Sequence, residues 1–296
     1  MNIAIVGDTH SGVTKHDITG TNIFILQIPI TLNGEIKEDF DTISLSKFDK
    51  MVYNNYKIEC VPPSVKSIKE IWNYLLKVKK YDCIIHIPYS SKLGDTFSLC
   101  QTMAQSYEGK VIVLENNRMG VALKALLFTA KKLANKGYEV NDIIDILHST
   151  ADEFSLYFTI DNPKYVKNNC KLNMTKEAYN SLSNPKIVLQ LENGKIGLKC
   201  KSLTKKGAKK LMLKALDRDL KTKFKDYVDR NDIQLFIAYS GRIEDGIALK
   251  EYLVRKYPTI DVSYVDQLPI CLCSHLGTGV LMVGCSRIFN NIKIVK

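Results

Sequence analysis

The chain has 296 residues, 45% of them apolar and 25% charged, with a formal net charge of +11. That length is a prior for about two domains, and the apolar share supplies a sizeable core, which excludes a disordered chain. No apolar run reaches the ~20 residues a membrane helix needs, and Met1-Asn2-Ile3-Ala4-Ile5-Val6 enters a strand without a signal-peptide pattern, so a soluble cytoplasmic protein is expected.

In chain order, Ile3 to Val6, Thr21 to Pro29, Cys83 to Ile87 and Val111 to Leu114 read as strands. Ile68 to Val78, Phe97 to Ser106 and Ala122 to Lys136 read as helices between and after them. This alternation predicts a mostly parallel sheet covered by helices, with polar groups gathered at the carboxyl ends of its strands. Asp8, Thr9, His10 and Ser11 follow the first strand, and Ser90, Ser91 and Thr96 follow the third, which places both sets along one edge.

A helix over Asn141 to Ser149 precedes a new strand, Leu156 to Ile160, and divides the chain into an N-terminal α/β domain, 1–152, and a C-terminal α/β domain, 153–296, with a mixed sheet. In the second domain Pro185 to Leu191 and Ile196 to Cys200 flank an Asn193-Gly194 hairpin turn. Gln234 to Tyr239 is a strand and Gly246 to Lys256 a helix. The apolar runs Ile270-Cys271-Leu272 and Val280-Leu281-Met282-Val283 read as two strands joined by the polar, glycine-punctuated loop Ser274-His275-Leu276-Gly277-Thr278-Gly279. Glycines there let backbone N–H groups near Gly277 and Gly279 approach an anion, with the His275 imidazole beside them.

The charge is unevenly placed. Between Lys195 and Lys225 twelve Lys or Arg face only Asp217 and Asp219, so this segment carries nearly the whole excess. Ala208, Leu211, Met212, Ala215, Leu216, Leu220 and Phe224 recur in it at helical spacing, which turns Lys205, Lys206, Lys209 and Lys210 outward as a solvated face or a docking surface for an acidic partner. No nucleic-acid-binding motif or aromatic platform accompanies the charge. Cys60, Cys83, Cys100, Cys170 and Cys200 are scattered. Only Cys271, Cys273 and His275 resemble a ligand set, sharing one face if the segment is a strand, and without a fourth ligand at a recognised spacing no metal is expected. A hydrolase triad of Ser91, His275 and Asp8 or Asp95 has no Gly-x-Ser-x-Gly elbow to support it, and no P-loop is present, so an enzyme is not expected.

Taken in order, these motifs resemble the DegV family of bacterial fatty-acid-binding proteins, which includes the acyl-carrying partner of fatty acid kinase. Asp8-Thr9-His10-Ser11 stands in place of the family's Asp-Ser-Thr loop. Pro29-Ile-Thr-Leu-Asn-Gly-Glu35, with Glu38-Asp39 and Ile43-Ser44, resembles its second strand and following helix start. Ser90-Ser91-Lys92-Leu93 followed by Thr96 is similar to Ser-Ser-x-Leu-Ser-Gly-Thr, with Gly94-Asp95 at the Ser-Gly. His275-Leu276-Gly277-Thr278-Gly279 is similar to His-Thr-Gly-Pro-Gly. Cys60-Val61-Pro62-Pro63-Ser64 aligns with Thr-Ser-Gln-Pro-Ser, and Asn169-Cys170-Lys171-Leu172 stands where the family has Gly-Gly-Arg-Ile.

The resemblance implies a non-catalytic carrier of bacterial phospholipid metabolism without a cofactor. It implies that Ser90, Ser91 and His275 hold the carboxylate of a long-chain fatty acid at the domain junction, with the Cys60 thiol in place of the family's threonine, and that the tail lies in the C-terminal domain. Backbone N–H groups near Gly277 and Gly279 complete the expected carboxylate site, and the charge of the basic helix makes Lys205, Lys206, Lys209 and Lys210 the expected docking face for a fatty acid kinase. The residues alone leave open another lipid, a small acid, or a basic surface that binds protein or nucleic acid.

Overall fold

A computed structural model describes residues 1–37, 43–183 and 186–289. Glu38-Asp39 and Pro185, used above, lie outside them. Strands β1 (Ile3–Asp8), β2 (Ile23–Leu26), β3 (Ile30–Leu32), β4 (Glu35–Lys37), β5 (Ile58–Cys60), β6 (Cys83–His86) and β7 (Val111–Val113) run through the first half. With them come helices α1 (Lys15–Ile18), α2 (Leu45–Tyr53), α3 (Val65–Asn73), α4 (Thr96–Ala104), α5 (Gly120–Asn135) and α6 (Val140–Ser149). A parallel sheet has the order β2-β1-β6-β7, with β1 buried along its whole length as a central strand must be when helices cover both faces. A small antiparallel sheet, β4-β3-β5, stands apart and carries Cys60 at its end. Its strands are too short to show a period, and of them only β3 falls in a segment, Pro29 to Glu35, that the sequence reading took as strand.

The second half holds β8 (Phe154–Thr159), β9 (Ile187–Glu192), β10 (Lys195–Lys201), β11 (Ile233–Tyr239), β12 (Asp261–Gln267) and β13 (Leu281–Arg287) in one mixed sheet ordered β10-β9-β8-β13-β11-β12. Its helices are α7 (Pro163–Asn169), α8 (Lys176–Ser181), α9 (Lys205–Lys221), α10 (Lys225–Asp229), α11 (Ile243–Lys256) and α12 (Ile270–Leu276). Among the described strands of this sheet only β11 and β12 pair with each other in parallel, and β13 lies antiparallel between β8 and β11. Gly284 permits that insertion, since a Cβ there would stand 2.2 Å from the Ser155 carbonyl oxygen. The chain is thus a two-part α/β protein, parallel in its first sheet and mixed in its second, as its element order implies.

One predicted strand is a helix. Residues 270–276 form α12, entered through Pro269 in extended backbone (φ −65°, ψ 149°) and ended by Gly277 at φ 76°. A short, fully apolar run is consistent with either a buried strand or a buried helix, and the proline break decides for the helix. Cys271 and His275 therefore share a helical face through their i, i+4 spacing, and Cys273 points elsewhere, its thiol toward the Leu268 carbonyl. The three-residue strand face suggested for metal does not exist.

Helix α5 joins the halves. Most of its residues are buried, with contacts to β1, β2, β11 and β13, as expected of a helix apolar nearly all round. Its Lys124, almost fully buried, donates to Asp17 Oδ2 at 3.0 Å and to Asp266 Oδ2 at 2.7 Å, tying α1 to the end of β12. Burial disfavours charge on Asp17, but the Thr14 backbone and the Lys124 ammonium outweigh it and hold the carboxyl below its ordinary range. Asp17 thus stabilises the fold above the usual carboxylate pKa, and the contribution is lost as pH falls through its lowered value. Lys124→Ala should cost about 2 kcal/mol at pH 7, below the full value of a broken buried pair because both carboxylates are partly exposed. Urea denaturation at pH 7 and pH 2 should show the difference shrinking in acid.

Candidate functional site

The carboxyl end of β1 delivers Asp8 and a one-turn helix, Thr9–Ser11. Asp8 is fully buried and accepts from the backbone of His10 at 2.9 Å and of Tyr89 at 2.8 Å, which fastens the loop after β1 to the loop after β6. The His10 ring lies against Tyr89 with centroids 4.0 Å apart. Its Nδ1 is 3.3 Å from Asp8 Oδ1, close but not aligned for a full hydrogen bond, and its Nε2 is buried without a partner. Burial opposes a charge on His10, yet contact with Asp8 and Cys60 outweighs it and lifts the imidazole to about 9.

From the other half, α12 brings His275, and from the small sheet β5 brings Cys60. One nitrogen each from His10 and His275 and the Cys60 sulfur lie within 4.8 Å of one another. Cys60 Sγ is 3.3 Å from the Cys271 carbonyl oxygen and 3.4 Å from the Ser274 hydroxyl. Contact with Cys271 lowers its pKa, burial raises it, and the two imidazoles lower it further, so the thiol sits well below its ordinary range. His275 Nδ1 accepts from the Lys171 backbone at 3.3 Å, which leaves the ring proton on Nε2. Lys171 is further fixed by its ammonium, 2.7 Å from Glu59 beside Cys60.

Not every predicted site residue converges here. Gly277 N–H donates to Cys273 at 2.7 Å and Gly279 N–H to Ser240 at 3.0 Å, so neither amide is free for an anion. The glycines are needed for geometry instead: both have positive φ, with Tyr165 against Gly277 and Asp161 against Gly279. Ser90 is buried and its Oγ accepts from Lys92 N at 3.3 Å, facing the Asn193-Gly194 turn. Ser91 is exposed, its N–H on Glu115. Among the described residues neither serine shares a hydrogen bond with His10, Cys60 or His275. Tyr89 fills this corner, its hydroxyl so close to Gly94 that a Cβ there would lie 1.8 Å away. His10 was outside the sequence-derived site, although an Asp-x-His run directly after a buried first strand is a usable signal.

Two cavities flank the cluster. One, of 450 Å³, reaches from Thr9 and Gly12 to Pro269 and Cys271. The other, of 350 Å³, is lined by Val166, Cys170, Leu172, Met174 and Tyr179 with Lys176 and Asn180 at its side, next to the Lys171 amide that holds His275. On α9, Lys206 and Lys210 are exposed, Lys209 is half-buried, and Lys205 pairs with Asp161 at 3.1 Å beside Gly279. Among the described residues no helix is long and apolar enough to cross a membrane.

The DegV family model matches residues 2–287. The chain is similar to a DegV domain-containing protein of Clostridium perfringens, 25% identical over 259 residues that make up 85% of this chain and 86% of that protein. It is similar to one of Staphylococcus aureus at 25% identity over 289 residues, 96% and 97% of the two chains. Its fold is similar to that of a fatty-acid-binding DegV family protein from Thermus thermophilus, with a TM-score of 0.82 and 18% identity across 97% of this chain and 100% of that one. A stearic-acid-binding protein from Eubacterium ventriosum superposes with a TM-score of 0.81 and 14% identity across 96% and 98%.

Proposed function

The chain belongs to the DegV family, and on that premise we propose that it is a carrier, not an enzyme, which holds a long-chain fatty acid with its carboxylate at the cluster of His275, Cys60 and His10. Solved relatives described as fatty-acid-binding support the ligand class. The observation that carries the reading is the buried His275 ring, whose Nδ1 is occupied by Lys171 so that the other nitrogen offers a proton to an anion. The tail enters the cavity between Val166, Leu172, Met174 and Tyr179, where each buried methylene contributes ~0.8 kcal/mol. Charge-assisted bonds of roughly 1.5–3 kcal/mol from the head-group donors set its orientation.

This reading moves the donors from Ser90, Ser91 and the Gly277 and Gly279 amides to His10 and Cys60, which stand where the family resemblance has hydroxyl residues. A bound carboxylate accepts hydrogen bonds from the imidazoles, and its negative charge disfavours the Cys60 thiolate beside it, so Cys60 takes up a proton from solvent and donates to the carboxylate as a thiol. Palmitate should therefore slow alkylation of Cys60 by iodoacetamide about tenfold at pH 8, since the thiolate is the reactive form. Labelling read by peptide mass spectrometry checks this, and equal rates with and without palmitate would contradict it.

The family's link to fatty acid kinase extends the reading. A cytoplasmic kinase with an acidic face docks on α9 around Lys206 and Lys210, with Lys205 and Lys209 at the edge, and phosphorylates the presented carboxylate. The carrier then supplies sequestration and orientation, and the phosphoryl chemistry is the kinase's.

A further inference from the structure

Cys60, His10 and Asp8 stand in the relation of nucleophile, base and orienting group. The Cys60 sulfur and a His10 nitrogen are within 4.8 Å, and Nδ1 of the same ring is 3.3 Å from Asp8 Oδ1. The His10 nitrogens are buried and lack aligned hydrogen-bond partners, although the residue is only 1% exposed. Tyr89 stacks on the ring and holds it in place. His275 adds a second imidazole beside the sulfur. Both His10 and Cys60 occupy positions where the resemblance has hydroxyl residues, so two departures from one pattern meet at one point.

We infer that Cys60 is an acyl-acceptor site: when the head group held there is an activated acyl group, an acyl phosphate, Cys60 takes the acyl chain as a thioester. The step rests on the carrier reading, which places the acyl carbonyl at this cluster. His10 holds the proton of the pair, so Cys60 attacks the carbonyl carbon as the thiolate. A C–S bond forms, the C–O bond to phosphorus breaks, and inorganic phosphate leaves with the electron pair and accepts the proton from His10. No oxidant or metal enters the balance. Asp8 stabilises the imidazolium and keeps it in the orientation that delivers the proton to the leaving phosphate, as the third group of such constellations does. A free fatty acid has no such leaving group and stays non-covalent.

The test uses the full chain, delipidated and incubated with palmitoyl phosphate or with palmitate, and read by intact mass and peptide mapping. Palmitoyl phosphate should give one added acyl group on Cys60, removed by neutral hydroxylamine as a thioester is, and palmitate should give none. Cys60→Ser should lack the hydroxylamine-labile adduct, and His10→Asn should slow its formation about a hundredfold. Non-denaturing spectra of Cys60→Ser report whether it still holds palmitate. Absence of the adduct in wild-type protein that retains palmitate overturns the acyl-acceptor step and spares the carrier reading. Absence of both adduct and palmitate overturns both, and an adduct spread over other cysteines overturns the assignment to Cys60.

Discussion

Replacing His275 with alanine should weaken palmitate binding about ten- to hundredfold, the loss expected when one charge-assisted hydrogen bond of roughly 1.5–3 kcal/mol is removed. The ring is only 5% exposed, and its Nδ1 satisfies the Lys171 amide, so alanine also leaves that amide unpaired. His275→Gln separates the two effects. Its side-chain oxygen can accept from Lys171 while its NH₂ still donates, so binding should recover to within about threefold to tenfold of wild type. Calorimetric titration with palmitate checks both variants. Wild-type affinity in His275→Ala would remove the imidazole from the head-group site.

Cys170→Trp should cost long acyl chains roughly fifty- to two-hundredfold in affinity. Cys170 lines the 350 Å³ cavity between α7 and α8, beside Leu172 and Met174. An indole in place of the thiol displaces three or four methylenes, at about 0.8 kcal/mol each. Burial pushes the Cys170 thiol up to about 12, so the wild-type residue is inert and the loss is steric. The effect should grow with chain length and nearly vanish for octanoate. A uniform loss across chain lengths, or none, would place the tail elsewhere.

The features that the sequence displays are those carried by long patterns. The unbroken apolar run of β1, the sixteen-residue α5 and the amphipathic α9 all stand where their periods put them. Asn193-Gly194 makes its turn with Asn193 at φ 48° and Gly194 at φ 70°. Short elements fail because their physics is not local. β3, β4 and β5 are three residues each, and they hold one another only by pairing across the intervening chain. Residues 270–276 are apolar throughout, so only the proline at their start and the close fit of α12 against β5 and α7 make them a helix.

The proposed site was half legible for the same reason. His275 and Cys60 carry chemistry that a residue list can flag, and they are 215 positions apart yet meet. His10 became visible only through Asp8, Tyr89 and Cys60, which come from three different loops or strands. Ser90 and Ser91 read as ligands in sequence, but Gly94 lets Tyr89 fold into that corner, the Ser90 hydroxyl accepts from the Lys92 backbone, and Ser91 is tied through its own N–H to Glu115. The glycines of the His275 loop were read for their amides, and the structure uses their positive φ.

Native mass spectrometry of the chain purified from a bacterial host, followed by denaturing extraction of whatever it carries, tests the carrier reading most directly. The account predicts one fatty acid per chain, lost or strongly depleted in His275→Ala. Protein that emerges empty and takes up no added palmitate or oleate would contradict it.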